Sequence, residues 1–224
     1  MKKRIGIIII FIILLALCEY FGIIQHNKIF TYKYNVKGID VSHWQNKIEW
    51  NEVKEDNVEF VYIKATEGND FIDNMFSYNW NETKKVNLKR GAYHYFTTGS
   101  SGKEQGNNFI KTVPNELDSL PPVIDIEVGG LPKEQFNREL NDFIKVLENE
   151  YGKKPILYVM YPLYESYIKD EYKDYKIWIR DIVKPPQLSD GREWAIWQYS
   201  NRGRIKGIET YVDLNVSNLE LEDL

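Results

Sequence analysis

The sequence predicts an α/β fold, and three observations lead to it. From Lys37 onward, short apolar runs alternate with helix-compatible stretches, which is typical of parallel strands joined by helical crossovers. Eight such runs indicate a closed barrel, yet residues 37–224 fall short of the ~250 residues of a complete eightfold barrel. Residues 1–24 are basic and then apolar. We therefore expect a shortened TIM-like barrel with five strand–helix units plus three further strands, preceded by one transmembrane helix.

The N-terminal residues 1–24 are predicted to be a signal anchor. Met1–Arg4 contains three basic residues, and the stretch Ile5–Cys18 that follows has no polar side chain. About 20 apolar residues span a bilayer, and basic residues before them favour a cytoplasmic N-terminus with the rest exported. No Ala-x-Ala cleavage site is present, so we expect a single-pass anchor in the cell membrane; the alternative is a cleaved signal peptide and secretion. Residues 25–36 then form a juxtamembrane linker.

Composition excludes several classes of function. The formal net charge is −4, and an acidic surface argues against nucleic acid as a partner. Cys18 is the only cysteine, so the domain over residues 37–224 has neither a disulfide nor a cysteine-based metal site. His43 and His94 lie in different motifs without paired ligand spacing, and we expect both to be hydrogen-bonded packing groups. We therefore expect no metal, no cofactor and a monomer.

The eight candidate strands follow from apolar runs bounded by turn residues. They are residues 38–42, 60–66, 91–96, 123–127, 156–160, 176–181, 194–200 and 211–216. The clearest helix covers residues 133–151, where apolar side chains recur at helical spacing after Pro132. The connections after Asp181 and Ser200 are short and rich in proline or glycine, so loops or hairpins are expected to join the last three strands.

Asp125 and Glu127 stand two residues apart in an apolar strand, so both carboxylates point to the same side. Two close like charges raise the proton affinity of one member, which suits glycosidic bond cleavage. A solvated strand face with incidental acids is the alternative. Asp40 in the first strand and Asp213 in the last also alternate with apolar neighbours. Four acids are thus predicted to converge at the barrel mouth, where unpaired charges have no structural benefit.

Further polar and aromatic side chains on these strands are candidate substrate contacts. Lys64 and Glu67 are interpreted as sugar contacts, with an internal ion pair as the alternative. Tyr158 presents a flat apolar face with a polar tip at the end of the fifth strand, which suits sugar stacking. The predicted substrate-binding set is Tyr62, Lys64, Glu67, Tyr93, Tyr158 and Gln198.

Six ordered motifs resemble the glycoside hydrolase family 25 lysozymes. They are Gly38–Gln45, Phe60–Gly68, Gly91–Phe96, Asp125–Glu127, Trp197–Ser200 and Val212–Asn215. The resemblance covers essentially Lys37 to Val216. It implies a barrel with five strand–helix units and three further strands. It also implies a muramidase that cleaves the β-1,4 bond between N-acetylmuramic acid and N-acetylglucosamine in peptidoglycan, with net retention of configuration.

The same resemblance implies a role for each acid. Glu127 would be the general acid, and Asp125 would stabilise the developing positive charge or orient the substrate acetamido group. Asp40 and Asp213 would hold this network in place. Residue spacing leaves a covalent and a substrate-assisted intermediate open.

Arg180 departs from the family pattern, in which a small residue commonly follows the Ile-Trp-Ile strand. It has two interpretations: contact with a muramyl or peptide-stem carboxylate, or an ion pair with Asp181, which we expect. Two other functions also remain open. One is a non-catalytic peptidoglycan-binding domain, against which the four intact acids argue. The other is a chitinase or N-acetylglucosaminidase-type glycosidase, since such enzymes also use acids spaced by two on a barrel strand.

Overall fold

The computed structural model describes residues 2–224, and its first element is the helix α1 (Lys2–Tyr20). Within these residues, no helix combines the length and the apolar character that a membrane crossing requires. The uncharged part of α1 is only Ile5–Cys18, about 21 Å at ~1.5 Å per residue, against a hydrocarbon core of ~30 Å. The transmembrane helix predicted over residues 1–24 is therefore not supported. Met1, the first residue of that prediction, lies outside the described residues.

The segment after α1 packs on the outside of the following domain. It contains the short helix α2 (Lys28–Thr31). Asn27 is buried, and its Nδ2 donates a hydrogen bond to the carbonyl of Tyr199 at 3.2 Å. Nη1 of Arg202 donates to the carbonyl of Tyr20 at 2.9 Å. Residues 25–36, predicted as a linker, thus lie against the domain, and the division of the chain at residue 36 stays a prediction.

One sheet, formed within residues 2–224, closes into a barrel. Its strands are β1 (Lys37–Val41), β2 (Phe60–Glu67), β3 (Phe71–Ile72), β4 (Lys89–Tyr95), β5 (Val123–Ile126), β6 (Ile156–Val159), β7 (Ile177–Arg180), β8 (Ile196–Gly203) and β9 (Val212–Ser217). Parallel pairing joins β1 to β2 and continues through β4, β5, β6 and β7 to β8. The last strand, β9, is antiparallel to both β8 and β1 and closes the ring. The two-residue β3 forms a hairpin at the end of β2.

Helices follow each of the first five barrel strands. They are α3 (Trp50–Glu55), α4 (Phe76–Lys85), α5 (Gly102–Thr112), α6 (Lys133–Tyr151) and α7 (Tyr161–Leu163), which continues as a π-helix over Tyr164–Ile168. Two 3₁₀ turns are also present, His43–Gln45 and Leu221–Asp223. In the described residues after β7, no helix lies between the last three strands, so the predicted five units and three further strands are confirmed. The sheet is mixed, unlike a complete TIM barrel, because a short hairpin joins β8 to β9 and leaves no room for a crossover.

Aromatic side chains fill the lower part of the barrel interior. In β2, Phe60 and Tyr62 point inward, while the alternate residues pack towards the helices. The ring centroids of Tyr62 and Trp178 are 5.1 Å apart. A Cβ atom at Gly91 would lie 2.2 Å from Cε1 of Tyr62, so the neighbouring strand β4 needs glycine at this level. The open cleft lies above this aromatic plug, where the parallel strands end.

Candidate active site

Four carboxylates line a single cleft of about 390 Å³ at the mouth of the barrel. Asp40 lies in β1, Asp125 in β5 and Asp213 in β9, and Glu127 directly follows β5. Asp40 and Asp213 face each other as direct partners in the antiparallel pairing of β1 with β9. The structure therefore brings together the four acids that the sequence analysis selected from distant parts of the chain.

The Asp40–Asp213 pair holds its protons more tightly than free carboxyls. Burial, and then the charge of Asp213, raises the pKa of Asp40 well above its usual value. Burial also raises the pKa of Asp213 to about 6, although Gln198 and Arg180 oppose this shift. Because the two carboxyls interact, the retained proton belongs to the pair.

Asn215 orients this pair, and sequence reasoning missed it. Its Nδ2 donates to Oδ1 of Asp40 at 2.7 Å, and its Oδ1 accepts from Nε1 of Trp178 at 3.0 Å. The indole N–H can only donate, so it fixes which end of the amide faces Asp40. Period-two alternation was the available signal, since Asn215 stands two residues after Asp213 and therefore on the same side of β9.

The two carboxyls of the Asp125–Glu127 pair lie at different depths in the cleft. Burial, and then the charge of Glu127, raises the pKa of Asp125 well above its ordinary value, and Lys64 opposes this shift. Oδ1 of Asp125 is buried and has no hydrogen-bond partner among the described residues. Glu127 is exposed in the cleft, and the hydroxyl of Tyr158 lies 3.4 Å from its Oε1. The pair thus combines a deep carboxyl with raised proton affinity and an accessible carboxyl next to it.

Three of the six predicted substrate contacts line the cleft: Lys64, Tyr93 and Tyr158. Nζ of Lys64 lies 2.8 Å from Oε2 of Glu67, so the ion pair considered from the sequence is present. The hydroxyl of Tyr158 donates to Oε1 of Gln198 at 2.6 Å. Burial raises the pKa of Tyr158 well above its usual value, which keeps this hydroxyl a donor.

The other three predicted contacts lie outside the cleft lining. Glu67 stands beside the cleft with its carboxylate on Lys64. Gln198 is buried and hydrogen-bonds to Tyr158 and Asp213, which do line the cleft. Tyr62 is fully buried, and its hydroxyl donates to the carbonyl of Pro121 at 3.2 Å. The structure places Tyr62 in the aromatic plug under the site.

The most exposed aromatic ring of the cleft was also missed from the sequence. Trp44 lines the cleft and is 73% exposed. The ring of His43 packs beside it with 4.9 Å between centroids, and Nδ1 of His43 donates to Oδ2 of Asp73 at 2.8 Å. The sequence signal that could have identified Trp44 was its position four residues after Asp40 in the first motif. An indole held at a polar cleft offers a flat surface for a sugar ring.

The two motif histidines are both hydrogen-bonded. His43 is bound to Asp73, and His94 is buried between Oγ1 of Thr66 at 2.7 Å and Oε1 of Gln105 at 3.0 Å. Burial lowers the pKa of His94 to about 4, so it is neutral near pH 7. Within the described residues, no group of three or more His, Cys, Asp or Glu side chains is arranged to hold a metal ion.

Comparison with known proteins places this site in a family. The model of Glycosyl hydrolases family 25 matches residues 39–208. A family 25 glycosyl hydrolase from Bacillus anthracis has 43% sequence identity and a TM-score of 0.81, covering 86% of this chain and 93% of that one. A bacterial lysozyme from Streptomyces coelicolor has 30% identity and a TM-score of 0.76, covering 85% and 95%.

A curated relative agrees with the solved structures. Lysozyme M1 of Streptomyces globisporus is 32% identical over 199 residues, which is 82% of this chain and 68% of that protein. The matched range includes Asp40, Asp125 and Glu127, while Asp213 lies beyond its end. Since both the family model and these relatives cover most of the chain, this protein belongs to glycosyl hydrolases family 25 and is a glycoside hydrolase of the lysozyme type.

Proposed function

We propose that this protein is an N-acetylmuramidase that cleaves the β-1,4 bond between N-acetylmuramic acid and N-acetylglucosamine in peptidoglycan, with Glu127 as the general acid. The observation that carries this proposal is the division of the Asp125–Glu127 pair. Glu127 is open to a ligand in the cleft, while Asp125 beneath it has a strongly raised pKa. An acid must touch the leaving oxygen, and of these two carboxyls only that of Glu127 is exposed.

In the proposed first step, Glu127 gives its proton to the glycosidic oxygen as the bond from that oxygen to the anomeric carbon breaks. The aglycone leaves as an alcohol, and positive charge develops on the sugar. A proton is held next to Glu127, because burial and then the charge of Glu127 raise the pKa of Asp125 well above its usual value. Tyr158 helps to position Glu127, since its hydroxyl lies 3.4 Å from the carboxylate.

In the proposed mechanism Asp125 stabilises the positive charge or orients the acetamido group of the substrate. Support comes from its place in the lining of the cleft, with its buried Oδ1 unpartnered among the described residues. Asp40 and Asp213 hold the network from the opposite side of the barrel, and Asn215 fixes Asp40. A carboxylate oxygen or the acetamido oxygen of the substrate bonds to the anomeric carbon as the aglycone leaves. Water then displaces that oxygen from the anomeric carbon, and Glu127, now ionised, takes the proton of the water. Both the covalent and the substrate-assisted route use this second step and give retention.

We also propose that the protein acts outside the cell, because peptidoglycan lies beyond the cytoplasmic membrane. We propose that it does so as a monomer. The basic start and apolar stretch Ile5–Cys18 support export of the barrel. A C-terminal tag should be digested by protease added to wall-stripped cells, and N-terminal sequencing should decide between a retained anchor and a cleaved signal. A tag protected from protease would contradict export. Light scattering tests the monomer.

The reducing end of the product tests the function. Full-length protein is incubated with purified peptidoglycan, and the new ends are reduced with borohydride. We expect muramitol from the wild type and none above background from Glu127→Gln. Glucosaminitol would instead indicate an N-acetylglucosaminidase, and no new end from correctly folded wild type would indicate a binding domain.

A further inference from the structure

Arg180 is the last residue of β7 and points to the mouth of the barrel. It stands two residues after Trp178, whose ring lines the cleft, and side chains two apart on a strand share a face. Its neighbour across the sheet is Gln198 in β8. The charge of Arg180 lowers the pKa of Asp213, so the guanidinium lies close enough to act on this acid.

The prediction of an ion pair between Arg180 and Asp181 is wrong. Oδ1 of Asp181 accepts from the backbone N–H groups of Val183 and Lys184, both at 3.0 Å. The two side chains leave opposite faces of the chain, because consecutive residues in extended backbone alternate. The Asp181 carboxylate therefore binds the backbone of the loop that follows it.

Arg180 has little to bind within the protein. Among the side chains that the structure describes, no carboxylate lies within 4.0 Å of its guanidinium, in contrast with Arg90, Arg138 and Arg192. Its recorded polar contact is from Nη1 to Sδ of Met160 at 3.6 Å, and a thioether is a weak acceptor. Arg180 is half-buried and stands beside the cleft, outside its lining residues, so a guanidinium with five donors lies next to the site with most of them unused.

The cleft around Arg180 explains what such a group can do. Its acids lie on β5, β9 and β1, and β7 stands two strands from both β5 and β9. Two strand spacings are roughly 10 Å, a distance within reach of a substituent on a sugar bound next to the acids. Lys64, the cation among the lining residues, is paired with Glu67. Arg180 is therefore the group best placed to receive an anion, and its planar fork matches a carboxylate.

We infer that Arg180 binds a carboxylate of the glycan substrate and so selects muramic acid-containing strands over uncharged chitin-type strands. This inference rests on the proposed muramidase function. The carboxylate comes from one of two sources with the same chemistry: the lactyl group of N-acetylmuramic acid, or the peptide attached to it. An acid-lined cleft repels either one, and Arg180 offsets that repulsion at the point of contact.

Three substrates separate these sources: peptide-free strands with free lactyl carboxylates, the same strands converted to lactyl methylamides, and peptide-bearing strands. For Arg180→Gln we expect KM to rise about 10- to 100-fold on the carboxylate-bearing strands that it recognises, the range of one charged hydrogen-bonded contact. On methylamide strands the change should be small. Arg180→Lys should recover part of the loss, because it keeps the charge without the fork. Loss on peptide-free strands identifies the lactyl group, and loss only on peptide-bearing strands identifies the peptide.

Arg138→Gln is the matched control, since it removes the same charge from an exposed site on α6. Equal losses for Arg180→Gln on acid and methylamide strands, seen in kcat as well as KM, would overturn the inference and leave Arg180 acting through Asp213. Equal kcat/KM of the wild type on all three substrates, the acid, methylamide and peptide-bearing strands, would also overturn it, even if no Arg180 variant folds. Failure of the muramidase proposal gives a different result, because the wild type would then release no muramitol from any strand.

Discussion

Asp213 should destabilise the folded protein at neutral pH, so Asp213→Asn should be more stable and less active. Burial moves the pKa of Asp213 from 3.8 to about 6. Two pKa units at ~1.4 kcal/mol each correspond to a free-energy cost of about 3 kcal/mol for ionising this carboxyl in the folded state. Asparagine has nearly the same shape and carries no charge. The variant should therefore gain about 3 kcal/mol at pH 7.5, or ~6–12 °C in Tm for a chain of this size.

The sign of the pH dependence follows from proton binding. Between pH 4 and 6 the folded wild type holds a proton in the Asp40–Asp213 pair that the unfolded chain has already released. The contribution of Asp213 to the free energy of unfolding therefore falls as pH rises through this window and levels off above it. The advantage of Asp213→Asn should be near zero below pH 4 and complete above pH 6. Hydrolysis should drop in the same variant, because Asp213 shares a proton with Asp40.

Thermal unfolding measured from pH 3.5 to 8 tests this reasoning. Asp142→Asn is the matched control, since Asp142 is exposed on α6 and its loss changes the net charge equally. A surface change of this kind stays within about 0.5 kcal/mol. If Asp213→Asn melts at or below the wild-type temperature at pH 7.5, or if its advantage is equal at pH 3.5, the assigned burial cost is wrong.

Three further predictions concern the acid, the cleft wall and the plug. Glu127→Gln should lower kcat by about 10²- to 10⁴-fold with an unchanged Tm, since the amide keeps the shape but gives no proton; activity within a few-fold of wild type would exclude Glu127 as the acid. Trp44→Ala should raise KM for long glycans and leave kcat nearly unchanged, because the exposed ring offers stacking area; an unaltered KM would remove it from the binding surface. Gly91→Ala should lower Tm by several degrees, since its Cβ would lie 2.2 Å from the ring of Tyr62; Gly99→Ala, with nothing within 4 Å, is the control and should melt like wild type.

Much of the barrel was predictable because its strands are written locally in the sequence. Every predicted strand is present within a few residues, and the helix over residues 133–151 has the predicted bounds. Local sequence patterns contain less information about which strands pair and in which register. The two-residue strand β3 is too short for any period to reveal, and the alignment of Asp40 with Asp213 joins residues at opposite ends of the domain. That alignment depends on barrel closure, which only the whole sheet determines.

The site was predictable in its residue types and less so in its electrostatics. Spacing placed Asp125 and Glu127 on one face, but their difference in depth decides which of them is desolvated, and depth depends on the surrounding strands. Tyr62 alternates correctly for an inward side chain, yet it lies too low in the barrel to line the cleft. The wrong prediction of an Arg180–Asp181 ion pair was avoidable from the sequence, since alternation along a strand directs these two side chains to opposite sides.

The proton inventory of the cleft connects binding with catalysis. Four ionised acids around one sugar site would repel a substrate that itself carries carboxylates, and Coulomb repulsion is strong where water is scarce. The raised pKa values of Asp40 and Asp125 keep protons on both sides of the cleft, so each acid pair carries less than its full charge. The charge of Lys64 lowers the pKa of Asp125 and that of Arg180 lowers the pKa of Asp213, so one cation acts on each pair. The protons that make an acid available to the glycosidic oxygen thus also lower the repulsion met by an anionic glycan, and raising the pH should weaken both effects together.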